Sequence, residues 1–311
     1  MGITLLLINF SEIILPSGVR IVKDQTNLNS QIAVGLEINP DVTLMNKALE
    51  LFNKKGYNYL YLRDADSLQQ LKKFVRLLLK DSLFKKEDSK LHHNLIRLAL
   101  LKFKGNISPI INITVGITGN VDENYIADLF SIIPDSAISN LTDYYTLKPI
   151  QGNHIYFGEE NFIANISPSP GDIEFIPFLL CLQILKNRGF DIDYSLESAP
   201  SPFLIYIKEK NIESLFIKPE KEEIKKGLSQ IKNWIKKEVN ESNYSKMLIQ
   251  ITMIGEGEDI FFNWMKRLEY ITQKQIIMVW NRFLIDGFIS SGTAEFIDAI
   301  LNVFPEAEVI E

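Results

Sequence analysis

Apolar residues come in short, β-rich runs over the first half of the chain and shift to helical spacing over the last third. Thr4 to Leu15 and Val19 to Lys23 flank Pro16-Ser17-Gly18, which predicts a hairpin. Gln31 to Ile38 predicts a further strand, stopped by Asn39-Pro40. From Asp41 the residues Val42, Met45, Leu49 and Phe52 recur at helical spacing, and Lys54-Lys55-Gly56 supplies cations and a glycine to end that helix. Tyr57 to Leu79 (YNYLYLRDADSLQQLKKFVRLLL) reads as a buried strand, a sharp acidic turn and an amphipathic helix. Strand, helix, strand and helix across Gln31 to Lys80 make the pattern of a βαβ unit with a parallel pair, Rossmann-like in part.

Further along, Leu91 to Phe103 predicts a shorter helix, Pro109 to Ile117 a β-branched strand, and Asp122 to about Ile133 another helix. Residues 134–170 break into short runs, His154 to Phe157 and Phe162 to Ile166 among them, with a hairpin expected around Gly158-Glu159-Glu160. Pro168, Pro170 and Gly171 introduce a helix that ends near Asn187, and Asp191 to Ile207 is extended but interrupted by Pro200 and Pro202. After Pro219 comes a charged helix with Ile224, Leu228, Ile231 and Ile235 on one face, then a strand from Lys246 to Ile254. Three helical patterns follow from Glu258, bounded near Ile271-Thr272, Gly287 and Gly292. The expected architecture is an α/β domain over 1–219, with an irregular β-rich insertion at 134–170, followed by a mainly helical C-terminal subdomain over 220–311. No long-period repeat shows in the sequence.

Composition narrows the function without naming it. The 311 residues are 46% hydrophobic and 23% charged, the balance of a folded globular chain. A net charge of −6 argues against a coat of basic surface, although a local basic stripe can still track phosphate. Cys181 is the only cysteine, so there is neither an intrachain disulfide nor a multi-cysteine zinc site, and a reducing, cytoplasmic location is expected. The opening run MGITLLLINFSEIIL has no basic leader or small-residue cleavage pattern and reads as a strand, and no segment reaches the roughly 20 apolar residues of a membrane span.

Candidate chemistry is sparse. Asp64 and Asp66, on the loop leaving a strand, can present hard oxygen ligands to a divalent cation, against the plainer reading that Asp66 or Ser67 caps the next helix. Arg63 beside them, with Thr118, Gly119 and Asn120 in the turn after the Pro109 to Ile117 strand, forms a candidate phosphate-binding set, although that turn matches neither the dinucleotide fingerprint nor the P-loop. Lys72, Lys73, Arg76, Lys80, Arg97 and Lys102 lie in the most basic stretch and are the candidate nucleic-acid patch, with a solvated helix face as the alternative. His92 and His93 are adjacent and point about 100° apart on a helix, so they cannot share a metal as an i, i+4 pair does. The third histidine is His154. There is no Gly-x-Ser-x-Gly elbow, no H-E-x-x-H helix and no Cys-His nucleophile pair, and Cys181 on an apolar helix face reads as a buried structural thiol. Phe261, Trp264 and Trp280, from the aromatic-rich tail, are candidate partner-binding residues.

These features point to a binding subunit of a larger assembly that handles nucleic acid or a phosphorylated ligand, with no catalytic site of its own. Protein partners or a homo-oligomer are expected, nucleic acid or a nucleotide is the accompanying ligand, and no cofactor is implied. The alternatives are a metal-dependent enzyme of phosphate chemistry, using Asp64 and Asp66 with a divalent metal, and a nucleotide-sensing regulator.

Overall fold

The computed structural model describes residues 10–24, 30–38, 42–44, 52–55, 59–62, 68–79, 84–86, 110–135, 138, 148–194, 202–208, 212–240 and 260–310. The chain divides into two compact units interleaved in sequence. One takes Met1–Asp88, Lys104–Tyr144 and Glu241–Glu258; the other takes Ser89–Phe103, Tyr145–Asn240 and Asp259–Glu311.

The first unit contains β1 (Phe10–Ile14), β2 (Arg20–Asp24), β3 (Gln31–Ile38), β5 (Phe52–Lys55), β6 (Tyr59–Leu62) and β8 (Ile110–Thr118) in one sheet of order β1-β2-β8-β3-β6-β5, with β4 (Val42–Leu44) and β7 (Phe84–Lys86) paired separately. The expected first hairpin is present: β1 runs antiparallel to β2, and Gly18 takes φ 86° in the turn, a conformation glycine reaches without a Cβ clash. Strand β8 is central and continuously buried from Ile113 to Thr118; Ile113, Val115 and Ile117 face the apolar cluster, alternating with the small or hydroxyl residues Thr114, Gly116 and Thr118. Helix α1 (Leu68–Leu78) follows β6, and its Leu71, Phe74, Val75 and Leu78, spaced i, i+3, i+4 and i+7, are buried in one cluster with Ile32, Val34, Leu36, Ile113, Val115 and Ile117. Helix α2 (Glu123–Phe130) adds Ile126 and Phe130 to the same cluster.

The parallel βαβ unit does not form. Strand β3 pairs antiparallel with β6, and β6 antiparallel with β5, so the strand–helix–strand crossover of a Rossmann-like sheet is replaced by antiparallel neighbours. Both ends of the expected helix over Asp41 to Phe52 are strands, β4 and β5. Four apolar residues can match helical spacing by coincidence, while Val42, Thr43 and Phe52 also favour an extended chain, and only pairing with β7 and β6 decides between them.

The second unit holds β9 (Gly152–Phe157), β10 (Phe162–Ile166), α3 (Phe175–Asn187), β11 (Asp191–Asp193), β12 (Pro202–Tyr206), α4 (Glu213–Phe216), α5 (Lys221–Asn240), α6 (Ile260–Tyr270), α7 (Gln273–Leu284), β13 (Gly287–Gly292), α8 (Ala294–Val303) and β14 (Glu308–Ile310). Its sheet order is β11-β12-β10-β13-β9-β14. The hairpin expected between β9 and β10 is absent, because β13 lies between them, parallel to β9 and antiparallel to β10. The C-terminal region is therefore not a helical subdomain: it supplies an interior strand, and a boundary at residue 219 would cut through the sheet. Helix α3 is buried on nearly every side, as its apolar sequence requires, and Phe178 on it meets Phe203 of β12 at 5.0 Å and Phe283 of α7 at 5.2 Å between ring centres.

Five strands of each sheet share one topology. In β2-β3-β5-β6-β8, as in β9-β10-β11-β12-β13, the first strand is parallel to the fifth, the fifth antiparallel to the second, the second to the fourth, and the fourth to the third. A helix follows the fifth strand in both, α2 after β8 and α8 after β13. The repetition is one of chain path and not of sequence, which is why reading the chain for periodic residues misses it.

Candidate functional site

The turn after β8 is closed by the chain itself. Thr118 is buried, Gly119 sits at φ 70°, and the Asn120 N–H donates to Ser30 Oγ at 3.1 Å. The start of α2 is capped by Asp122, whose Oδ1 accepts from the N–H groups of Asn124 at 3.0 Å and Tyr125 at 3.4 Å, and Glu123 adds a second carboxylate to the first turn. Two acidic side chains at a helix N-terminus occupy and repel where a phosphate would bind, so this turn is not built as an anion cradle. Arg63, Asp64 and Asp66 lie outside the described residues.

Lys72, Lys73 and Arg76 are exposed on α1, and the Lys72 ammonium lies 5.8 Å from the centre of the Tyr125 ring. Lys80, Arg97 and Lys102 are outside the described residues. The tail aromatics turn inward. Trp280 is fully buried with the Arg188 guanidinium 5.1 Å from its ring centre, and Trp264 is 3% exposed, donating from Nε1 to Pro170 O at 2.9 Å and packing on Phe175. Both serve the interior of their unit, which leaves neither as a surface anchor; the side chain of Phe261 is outside the described residues.

Two polar residues that sequence spacing did not single out organise the second unit. Asn165 in β10 is fully buried; its Oδ1 accepts from Ile150 N–H at 2.8 Å, and its Nδ2 donates to Phe283 O at 3.2 Å and Gly287 O at 2.5 Å, tying β10 to α7 and β13. Arg188, at the end of α3, holds Glu223 of α5 through a two-point contact of 2.8 and 2.7 Å and donates to the carbonyls of Ser214 and Ile217. That contact holds the Glu223 carboxyl below the usual carboxylate range, against a smaller opposing effect of burial. The signal for Asn165 was available as a lone amide inside the apolar run FIANI; Arg188, beside Gly189, resembles an ordinary helix stop.

Where α6 meets the approach to α3, a groove of about 390 Å³ is lined by Ile173, Pro177, Asn263, Lys266, Arg267, Tyr270, Ile271 and Gln275. Ile173 and Tyr270 are 69% and 71% exposed. Arg267 is fixed by donating to the carbonyls of Asp172 at 2.7 Å and Gly171 at 2.9 Å.

A catalytic metal needs a convergent donor set. Among the described residues no three His, Cys, Asp or Glu side chains gather to hold a metal. In the whole sequence no two of the three histidines stand four residues apart, as the zinc-binding helices of many metallopeptidases require. His154 is engaged by Glu308 Oε2 and Gln151 O, each at 3.1 Å, and Cys181 is buried with its thiol pushed far up by desolvation. The donors among the described residues do not fit a zinc centre.

Neither a protein-family model nor a curated protein sequence matches the chain. Solved structures do. The inactive domain of an M16 peptidase from Pseudomonas fluorescens superposes with a TM-score of 0.58 at 12% identity, over 92% of this chain and 98% of that one. The fold is similar to that of M16 peptidase domains. A protease from Helicobacter pylori superposes on this chain at a TM-score of 0.52 and 11% identity, over 92% and 99% of the two chains. A chain of complex III2 from Candida albicans does so at 0.54 and 10%, over 97% and 100%. The M16-like fold overturns the expected nucleic-acid or phosphorylated-ligand subunit and its two alternatives, the phosphate enzyme and the nucleotide sensor. The subunit reading leaned on a basic stretch and an aromatic tail, whose Trp264 and Trp280 are interior, and the loop at Arg63 to Asp66 was expected to leave a parallel strand where β6 has antiparallel neighbours instead. Among the described residues no helix is long and apolar enough to cross a membrane.

Proposed function

We propose that this chain is a non-catalytic protein of M16-like fold that works by binding another protein. The observation that carries the reading is the likeness, over 92% of the chain, to a domain that is itself an inactive M16 peptidase domain. The donor set agrees with it, since a chain with two adjacent histidines and one distant one cannot bring two imidazoles to one metal from a single helix turn. The likeness to a chain of complex III2 supports a role in assembly, and a lone buried cysteine suits a reducing compartment such as the cytoplasm.

Two measurements test this. Purified chain, incubated with zinc and a quenched fluorescent peptide library, is expected to show neither bound zinc by elemental analysis nor cleavage above buffer. Chelator-sensitive hydrolysis would overturn the non-catalytic half of the reading. Cross-linking in the native cell is expected to capture a defined protein partner, and a strictly monomeric chain would overturn the other half.

A further inference from the structure

The groove between α6 and the approach to α3 combines apolar and cationic lining. Ile173, Pro177, Tyr270 and Ile271 supply apolar surface, Lys266 and Arg267 supply two positive charges, and none of the eight lining residues is acidic. This stands out on a chain of net charge −6. Two of the carboxylates beside the lining in sequence are committed elsewhere: Asp172 Oδ2 accepts from the Ser169 N–H at 2.9 Å, and Glu174 pairs with Arg282 at 2.6 Å; Glu269, exposed on α6, is not among the lining residues. Arg267 is held in place by two backbone carbonyls, which orient the guanidinium without neutralising it. Lys266 is exposed and makes no ion pair with a described residue. A volume of about 390 Å³ suits a few side chains of an extended segment better than a broad folded surface.

We propose that this groove docks an acidic segment of a protein partner, one in which carboxylates flank an aromatic or branched aliphatic residue. The apolar residue would lie against Ile173, Pro177 and Tyr270, and the carboxylates would face Lys266 and Arg267. Charge complementarity of this kind sets which partner binds and how fast, and it weakens with salt. The inference rests on the protein-binding reading above and gives it a place and a chemistry.

The test uses the full chain and a fluorescein-labelled peptide in which aspartates alternate with leucine and phenylalanine, beside a control with lysine in place of aspartate, read by fluorescence anisotropy. The acidic peptide is expected to bind and the basic one not. Lys266→Glu and Tyr270→Ala should each weaken binding about fivefold, the scale of one exposed contact, while Lys225→Glu on α5 should not change it. Both altered groove side chains are exposed, so the fold should tolerate them, which circular dichroism verifies. Equal binding of the two peptides, or equal loss in Lys225→Glu and Lys266→Glu, would overturn the proposal. A concentration-dependent dimer abolished by Lys266→Glu would overturn it in favour of a second copy as the occupant. Absence of peptide binding without zinc-dependent cleavage would remove the groove and leave the non-catalytic reading, whereas binding followed by cleavage would do the reverse.

Discussion

Asn165 shows how much one side chain can decide. It stands in an otherwise apolar strand because three backbone groups around it, on Ile150, Phe283 and Gly287, need partners where water does not reach. Replacing it by leucine keeps the bulk and removes every one of those partners. Asn165→Leu is expected to lower stability by roughly 3 kcal/mol, the scale of stranding buried donors and acceptors, read as a shift in the urea midpoint. Glu223 gives a pH-dependent case. Its carboxyl is held below the usual range mainly by hydrogen bonds from Arg188, so the folded form binds its proton less readily than the unfolded chain does. The stabilisation is present above the unfolded value of about 4.3 and is lost as pH falls through the folded value. Glu223→Gln should therefore be less stable than the parent chain at pH 7, with the gap closing below about pH 4, measured by urea denaturation at both pH values.

At the scale of elements, β13 determines the second unit. It lies between β9 and β10, and it fits because Gly287 has no side chain: a Cβ there would sit 1.9 Å from Ile150 O. Gly287→Ala forces backbone apart at the start of the strand and is expected to cost on the order of 3 kcal/mol, visible in thermal unfolding and in faster amide exchange along β13. Local pattern identified many elements well. The hairpin at Gly18, the strand and helix of Tyr59 to Leu78, the helix capped by Asp122 and the helix rich in Ile224, Ile231 and Ile235 all stand close to their expected places. It failed where two periods competed, at Val42 and Phe52, and where a strand was hidden between helices, at Gly287 to Gly292. That six-residue run is small and polar at its far end, without the β-branched density that marks β8, and its place in the sheet comes from neighbours more than a hundred residues earlier.

For the whole molecule, the topology implies that residues 220–311 cannot stand alone. Helices α7 and α8 pack on a strand whose ladder partners, β9 and β10, lie outside that segment. A fragment of 220–311 is expected to lack dispersed amide resonances and to show red-shifted tryptophan emission, since Trp264 and Trp280 are interior only in the complete unit; a cooperatively unfolding fragment would contradict this. Little of the candidate site was legible in the sequence. The groove draws on residues from Ile173 to Gln275, so its cations and apolar lining gather only once α6 and the approach to α3 are side by side. Trp264 and Trp280 illustrate the converse, since aromatic density marks burial and docking alike and only the packing distinguishes them. The sequence by itself determined the α/β character, most local elements, the absence of an intrachain disulfide and the lack of two histidines one turn apart, because these follow from residue type and short spacing. Tertiary structure alone decided the strand directions, the insertion of β13, the repeated five-strand path and the likeness to M16 domains, because each depends on pairing between residues far apart in the chain, which local periodicity does not encode.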